Sequence, residues 1–563
     1  MRTRSGVIAA IVVSAGAAPA FAIVSSATDA LAGIYINDLL GASAFYDAGY
    51  TGTRAVAANI EAGHAWGGAA GHETLGHLTT FINREPVVNQ LGELDMHATW
   101  TAQALAGRAT AGGNANAQRG IAYGATLWSG AIASTFASGG AFNFASWDYL
   151  RNPYRRILST GVDGVTADVV NSSWGSTGTA AASAGNTFLA GFIDALVNTT
   201  GKIVVVAAGN SGSGPDTIGA PASGYNAIAV ANLGNHDNAY DQVHESSSRS
   251  PSAFFNPQTG VTIQGVRARI DIAAPGNQLK LAAYGGTTGG NTGGADFTGG
   301  QHDQYVDFLN GTSFAAPTVA GGAALVVDYG KDRHAGGESI DVRVVKAVLL
   351  NSAEKIPGWD NGQSTVGGVV TTTQSLDWAS GAGRMNLAGA FDQYRQGVDR
   401  TSNLLGLVGG EVEATGWDFG RVQNTTPNTY TIDTPLMEGS LFTATLTWLV
   451  DRTANVNDGT SAAFSDQSFD NLDLEVWSMV NGSLVTMVAT SASLYNNTEH
   501  LHFTLPAGGL YAIRVVWTGE AYDRIADTNR ETYGLAWDAT PIPAPGVLVM
   551  LALVAVRRRS RAR

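Results

Sequence analysis

Several runs in the first two thirds of the chain are apolar at nearly every position rather than at alternate ones: "ATLWSGAI" (125–132), "ADVVNSSW" (167–174), "KIVVVAAGN" (202–210) and "NAIAVANL" (226–233). A strand that is apolar on both sides has to be covered on both sides, which a sheet achieves when helical crossovers return the chain in parallel. The stretches between the runs supply such helices, as in "NTFLAGFIDALV" (186–197). From about Ala55 to Asn386 the chain therefore reads as an α/β domain with a parallel sheet covered by helices on both faces. Beyond about residue 400 the helical pattern stops. "LFTATLTWLV", "NLDLEVWSMV", "LHFTLP", "LYAIRVVW" and "TYGLAW" follow with turn residues between them, the signature of an all-β, jelly-roll-like sandwich. The expected boundaries are 23–397 for the first domain and 398–540 for the second.

With 44% hydrophobic and 14% charged residues among 563, both domains can bury large cores. A net charge of -14, with no basic stretch outside the termini, argues against nucleic acid as a partner. Cysteine is absent, so packing or bound ions must supply what disulfides supply elsewhere. The 71 glycines cluster in places such as "GGTTGGNTGGADFTGG" (285–300), which points to long surface loops.

Both termini carry addressing signals. Arg2 and Arg4, the apolar run Val7 to Val13 and the small-residue site Ala20-Phe21-Ala22 form a secretory signal over 1–22, so the protein is expected to be exported and to begin at Ile23. Only Ile23 to Arg54 then precede the first strand, which leaves no room for a folded inhibitory propeptide. At the other end, Pro543-Ala544-Pro545, the apolar run Val547 to Val556 and a cluster beginning Arg557-Arg558-Arg559 occupy 541–563. That run reaches about 15 Å as a helix, roughly half the hydrocarbon thickness. The order resembles PEP-CTERM sorting tails, with Ala544 where that family has Glu. It implies sorting or membrane association and a location outside the cell or at its surface.

Chemistry enters at "NGTSFAAPTVAGGAAL" (310–325). Gly311 allows close backbone approach, Ser313 stands at a helix start with free N–H groups beside it, and Pro317 is tolerable near the first turn. Taken alone, a serine there is a cap. The eleven residues Gly311 to Gly321, however, resemble the nucleophile motif of the subtilisin-like serine peptidases. The resemblance covers about residues 35–395 and implies a serine endopeptidase acting on proteins or peptides through an acyl-enzyme. His97 in "MHATWTAQALAG" (96–107) corresponds to the general base, with Ala98 and Trp100 replacing the family's Gly and second His. Asn210, ending "VVVAAGN", corresponds to the oxyanion donor, and Ser173-Trp174-Gly175 to the edge that pairs with substrate backbone. "IDVRVVKAVLLNSA" and "GAGRMNLAGA" resemble the domain's closing helix and terminal turn. The resemblance implies no cofactor for the chemistry, while the Asp/Asn-rich loops leave room for structural calcium.

The third member of the set is a departure. Glu61 ends the strand-like "AVAANIE" where the family has Asp, and the order Glu61, His97, Ser313 is the subtilisin order. The extra methylene, about 1.5 Å, makes its carboxylate overshoot unless the surroundings adjust. In a subtilisin, loss of the carboxylate costs about 3 × 10⁴ in turnover, against about 2 × 10⁶ for loss of the serine or histidine. Asp95, two residues before His97, is the rival carboxylate. "GHETLGHL" (71–78) imitates a zinc-protease motif, but His72 and His77 are five apart and diverge by about 140° on a helix, so no metal is expected there. The alternative to a peptidase is a subtilisin-like surface or binding protein with impaired catalysis, which Glu61 and Trp100 favour and the intact Ser313, His97 and Asn210 segments oppose.

Overall fold

The computed structural model describes residues 36–83, 94–108, 119–136, 141–178, 180–236, 239–284, 303–334, 337–397, 410–455, 463–526 and 529–539. The expected signal segment, the Gly-rich run 285–300 and the C-terminal tail lie outside the described residues. No helix among the described residues is long and apolar enough to cross a membrane.

The apolar runs become the central sheet. Its strands are β1 (Val56–Glu61), β2 (Thr80–Ile82), β3 (Thr126–Ala131), β4 (Val169–Ser172), β5 (Ile203–Ala207), β6 (Ile228–Gly234) and β7 (Ile272–Pro275). They lie in the order β7-β6-β5-β4-β1-β3-β2, paired in parallel along this order, and a two-residue eighth strand, Gln242–Val243, pairs antiparallel with the end of β6. The covering helices used below are α1 (Met96–Ala106), α2 (Asp148–Arg155), α3 (Phe188–Thr200), α4 (Thr312–Arg333), α5 (Val342–Asn351) and α6 (Leu387–Arg395). Side chains on a strand alternate between faces. Accordingly Asn59 of β1 bonds Ala98 of α1, while Ser172, next to Asn171 of β4, bonds Tyr154 of α2. Helices therefore meet the sheet on both sides.

The starts of the strands are tied by charge. Asp168, just before β4, accepts from Val56 N at 2.9 Å and pairs with Lys202 and Lys331 at 3.3 and 2.6 Å. The helix that begins at the nucleophile motif, α4, is buried over nearly all of its length and packs on the central strands. Its small residues are what permit this: a Cβ at Gly321 would fall 2.6 Å from the Ile121 Cβ and 3.1 Å from the Leu105 carbonyl of α1.

The C-terminal region is β-rich, as its short alternating runs imply. Strand Thr415–Gln423 pairs with Arg530–Asp538, then Leu441–Trp448, then Thr498–Thr504, in one four-stranded sheet. The long strands Phe464–Val480 and Leu510–Asp523 form the centre of a second, larger sheet. Both contribute to one buried cluster that includes Tyr430, Trp448, Phe469, Val515 and Trp537. A hairpin from before residue 398, Ser364–Val366 and Val369–Thr372, joins this second sheet by pairing in parallel with Ser483–Ser491. Sequence reading missed it because two short strands in an exposed stretch carry little periodic signal.

The two parts share buried contacts. Gly534 lies so close to α5 that a Cβ there would fall 2.3 Å from the Arg343 carbonyl group. Arg452 is 2% exposed and bonds Asp194 of α3 and Asp466 of the second sheet, each at 2.8 Å.

Candidate active site

In a parallel sheet the loops that follow the strands gather at one edge, and ligand sites form there. Here β1 ends in Glu61, β4 runs into Ser173 and β5 into Gly209-Asn210. Helices α1 and α4 begin at this edge, each with its functional side chain in the first turn: His97 second in α1, Ser313 second in α4. All five predicted segments line one cleft.

Glu61 and His97 are in direct contact. The carboxylate Oε2 lies 3.1 Å from His97 Nδ1, and its other oxygen, Oε1, accepts from the Ser173 backbone N–H at 2.8 Å. The overshoot expected of the longer side chain is thus taken up by reaching across to the end of β4. Asp95 plays a different part here. It caps α1 by accepting from Ala98 N at 3.2 Å, so although only two residues before His97 it does not compete with Glu61 for Nδ1.

Burial pushes the Glu61 carboxyl above its ordinary range, and His97 together with the Ser173 N–H pulls it only part of the way back. Burial also works against a charged imidazole, but the Glu61 carboxylate and its hydrogen bond outweigh it, so His97 is held above its ordinary value. The imidazole is flanked by two rings as well. Trp100 meets it at 6.2 Å between centroids and Phe314 at 6.1 Å, and these two pack on each other at 6.0 Å. Trp100 therefore forms a wall beside the His97 ring.

Ser313 is 6% exposed, and its hydroxyl donates to the Ser173 carbonyl at 3.3 Å rather than to His97. The Ser173 hydroxyl returns a bond to the Ser313 carbonyl at 2.9 Å, which locks the two segments together. A serine hydroxyl turns between staggered wells about χ1, and catalytic hydrogen bonds commonly tighten only when substrate is bound.

Asn210 is oriented through its carbonyl end. Its Oδ1 accepts from the Thr312 N–H at 3.0 Å and the Thr312 hydroxyl at 3.1 Å, so the assigned amide orientation leaves Nδ2 as the end available for donation into the cleft. The preceding Gly209 has φ +109°, a backbone conformation in which a side chain is strained, and it makes the sharp exit from β5. Trp174 is buried beside the cleft and Gly175 is half-buried.

The metal look-alike has a structural role. His72 Nδ1 meets the Thr74 hydroxyl at 2.9 Å and Nε2 the Gln304 carbonyl at 2.8 Å, while Glu73 accepts from the Tyr305 hydroxyl. Burial and the Arg108 charge hold His77 down at about 4. Among the described residues no three His, Asp or Glu side chains gather as metal ligands would.

Sequence reading missed the polar groups behind Glu61. Asn59 and Asn171 are fully buried register partners on β1 and β4, and the Asn171 amide donates to Asn59 Oδ1 at 2.8 Å. The available signal was an Asn inside each of two otherwise apolar strand runs.

The Subtilase family model matches residues 85–376, more than half of the chain, and the chain belongs to that family. It is 26% identical over 296 residues to subtilisin NAT of Bacillus subtilis subsp. natto, covering 51% of this chain and 58% of that protein. To the serine protease AprX of Bacillus subtilis (strain 168) it is 28% identical over 160 residues, covering 28% and 31%. The matches thus span from about a third to under three fifths of these curated relatives. Among solved structures it is similar to a protease of Pseudoalteromonas arctica, with 19% identity, TM-score 0.40, and 63% of this chain and 94% of that one covered. The corresponding figures for MycP1 from the ESX-1 type VII secretion system are 20%, 0.40, 63% and 85%.

Proposed function

We propose that this chain is an exported serine endopeptidase that hydrolyses peptide bonds through an acyl-enzyme. The observation that carries the reading is the Glu61–His97 contact in the cleft that also holds Ser313 and Asn210. In this mechanism the Ser313 hydroxyl attacks the scissile carbonyl as His97 Nε2 takes its proton. Glu61 keeps Nδ1 protonated and stabilises the imidazolium. The oxyanion receives hydrogen bonds from Asn210 Nδ2 and from an N–H at the start of α4. His97 then delivers its proton to the leaving amine, and a water activated by the same imidazole releases the acid. Ser173 to Gly175 binds substrate backbone by strand addition.

The C-terminal β-rich region, read as a jelly-roll-like sandwich, supplies no catalytic group in this scheme. The tail beyond residue 540 directs sorting or attachment at the cell surface, and calcium, where bound, is structural. A binding protein with impaired catalysis is favoured by one specific observation: the Ser313 hydroxyl is engaged with the Ser173 carbonyl. A fluorophosphonate probe separates the two readings, because only an activated serine reacts readily. Stoichiometric labelling mapped to Ser313, and lost in Ser313→Ala, is the expected result. A folded protein that stays unlabelled is the binding protein.

A further inference from the structure

Glu61 does not reach His97 on its own account. It is the end of a buried polar ladder that joins β1, β4 and α1. Its Oε1 accepts from Ser173 N at 2.8 Å and lies 3.4 Å from Asn171 Nδ2. Asn171 donates in turn to Asn59 Oδ1 at 2.8 Å and to the Ser173 hydroxyl at 3.1 Å, and the Asn59 amide donates to the Ala98 carbonyl and the Thr101 hydroxyl, both at 3.0 Å. Thr101 closes the path by donating to the carbonyl of His97 itself at 3.1 Å. Asn59 and Asn171 are 0% exposed, so each polar atom depends on its partners.

From this ladder we infer that Asn171 is a positioning residue: with the Ser173 N–H it receives the far oxygen of Glu61, fixing the longer carboxylate against His97. The inference rests on the peptidase reading above. A carboxylate one methylene shorter, leaving the end of β1 at the same point, does not extend as far toward β4, and it has no need of Asn171.

That difference in reach gives the test, a double-mutant cycle on the full chain with Asn171→Ala and Glu61→Asp, read with a peptide ester. In the Glu61 background Asn171→Ala is expected to lower kcat about ten- to a hundredfold with KM nearly unchanged, and to move the acidic limb of the pH profile downward as the imidazolium loses part of its partner. In the Glu61→Asp background the same change is expected to cost under about threefold. Equal losses in both backgrounds with an unmoved limb would overturn the inference, since a merely structural role affects both alike. Should Asn171→Ala not fold, Asn171→Ser takes its place in the same cycle and is read the same way. A parent protein that neither turns over the ester nor labels at Ser313 overturns the peptidase reading itself. A labelled, active parent with an additive cycle overturns only the role of Asn171.

Discussion

At the scale of single residues, Glu61 in the proposed mechanism decides how His97 behaves. Hydrolysis needs His97 neutral, so activity rises with pH through the imidazole's pKa. With Glu61 holding that value up, the acidic limb should lie above the ordinary imidazole range near ~6.5. Glu61→Gln removes the charge and offers a neutral amide that supports the wrong tautomer. It is expected to lower kcat about 10³- to 10⁴-fold and to move the limb to lower pH, with circular dichroism unchanged. An unchanged profile would mean that Glu61 is not the partner of His97 in solution. The place of this carboxylate, at the end of an apolar strand, was legible in the sequence. How the extra methylene is absorbed was not, because the receiving groups, Ser173 N and Asn171, come from a strand 110 or more residues away.

At the scale of elements, His97 and Ser313 sit on two helices whose spacing is set by small side chains. Helix α4 approaches α1 and the segment after it at Gly321, where a Cβ would lie 2.6 Å from that of Ile121. Gly321→Ala is therefore expected to destabilise the protein by about 1–3 kcal/mol, the usual cost of overpacking, despite the better helix propensity of Ala. Urea denaturation would measure the loss. A midpoint at or above the parent's would mean that the helices part without cost. The small-residue character of α4 was readable from "AAPTVAGGAAL", and the parallel sheet from strands apolar throughout, since both patterns are local. The partner that each small residue faces is not a local property, so Ile121 and Leu105 became visible only with the fold.

At the scale of the whole molecule, the two parts are joined through a buried charged side chain. Arg452 is sealed between Asp194 and Asp466, and its guanidinium also lies over the rings of Tyr225 and Phe464. Arg452→Met keeps much of the packing but strands two buried carboxylates. Loss of about 3–5 kcal/mol is expected, with tryptophan fluorescence and ester hydrolysis lost in one shared transition. Separate transitions would show that the parts unfold independently. Nothing in the sequence marks Arg452 among 32 Lys and Arg residues, because its significance comes from two acids far along the chain. The hairpin at 364–372 is equally non-local, since it completes a sheet whose neighbouring strand begins at Ser483. Its position restricts how such a protein can be rearranged by recombination. A gene fusion broken after residue 397 carries the hairpin away with the N-terminal part and gives the incoming module a foreign edge strand. Exchange of C-terminal modules within this lineage therefore has to carry the 364–372 segment along, or evolve a new edge in the recipient.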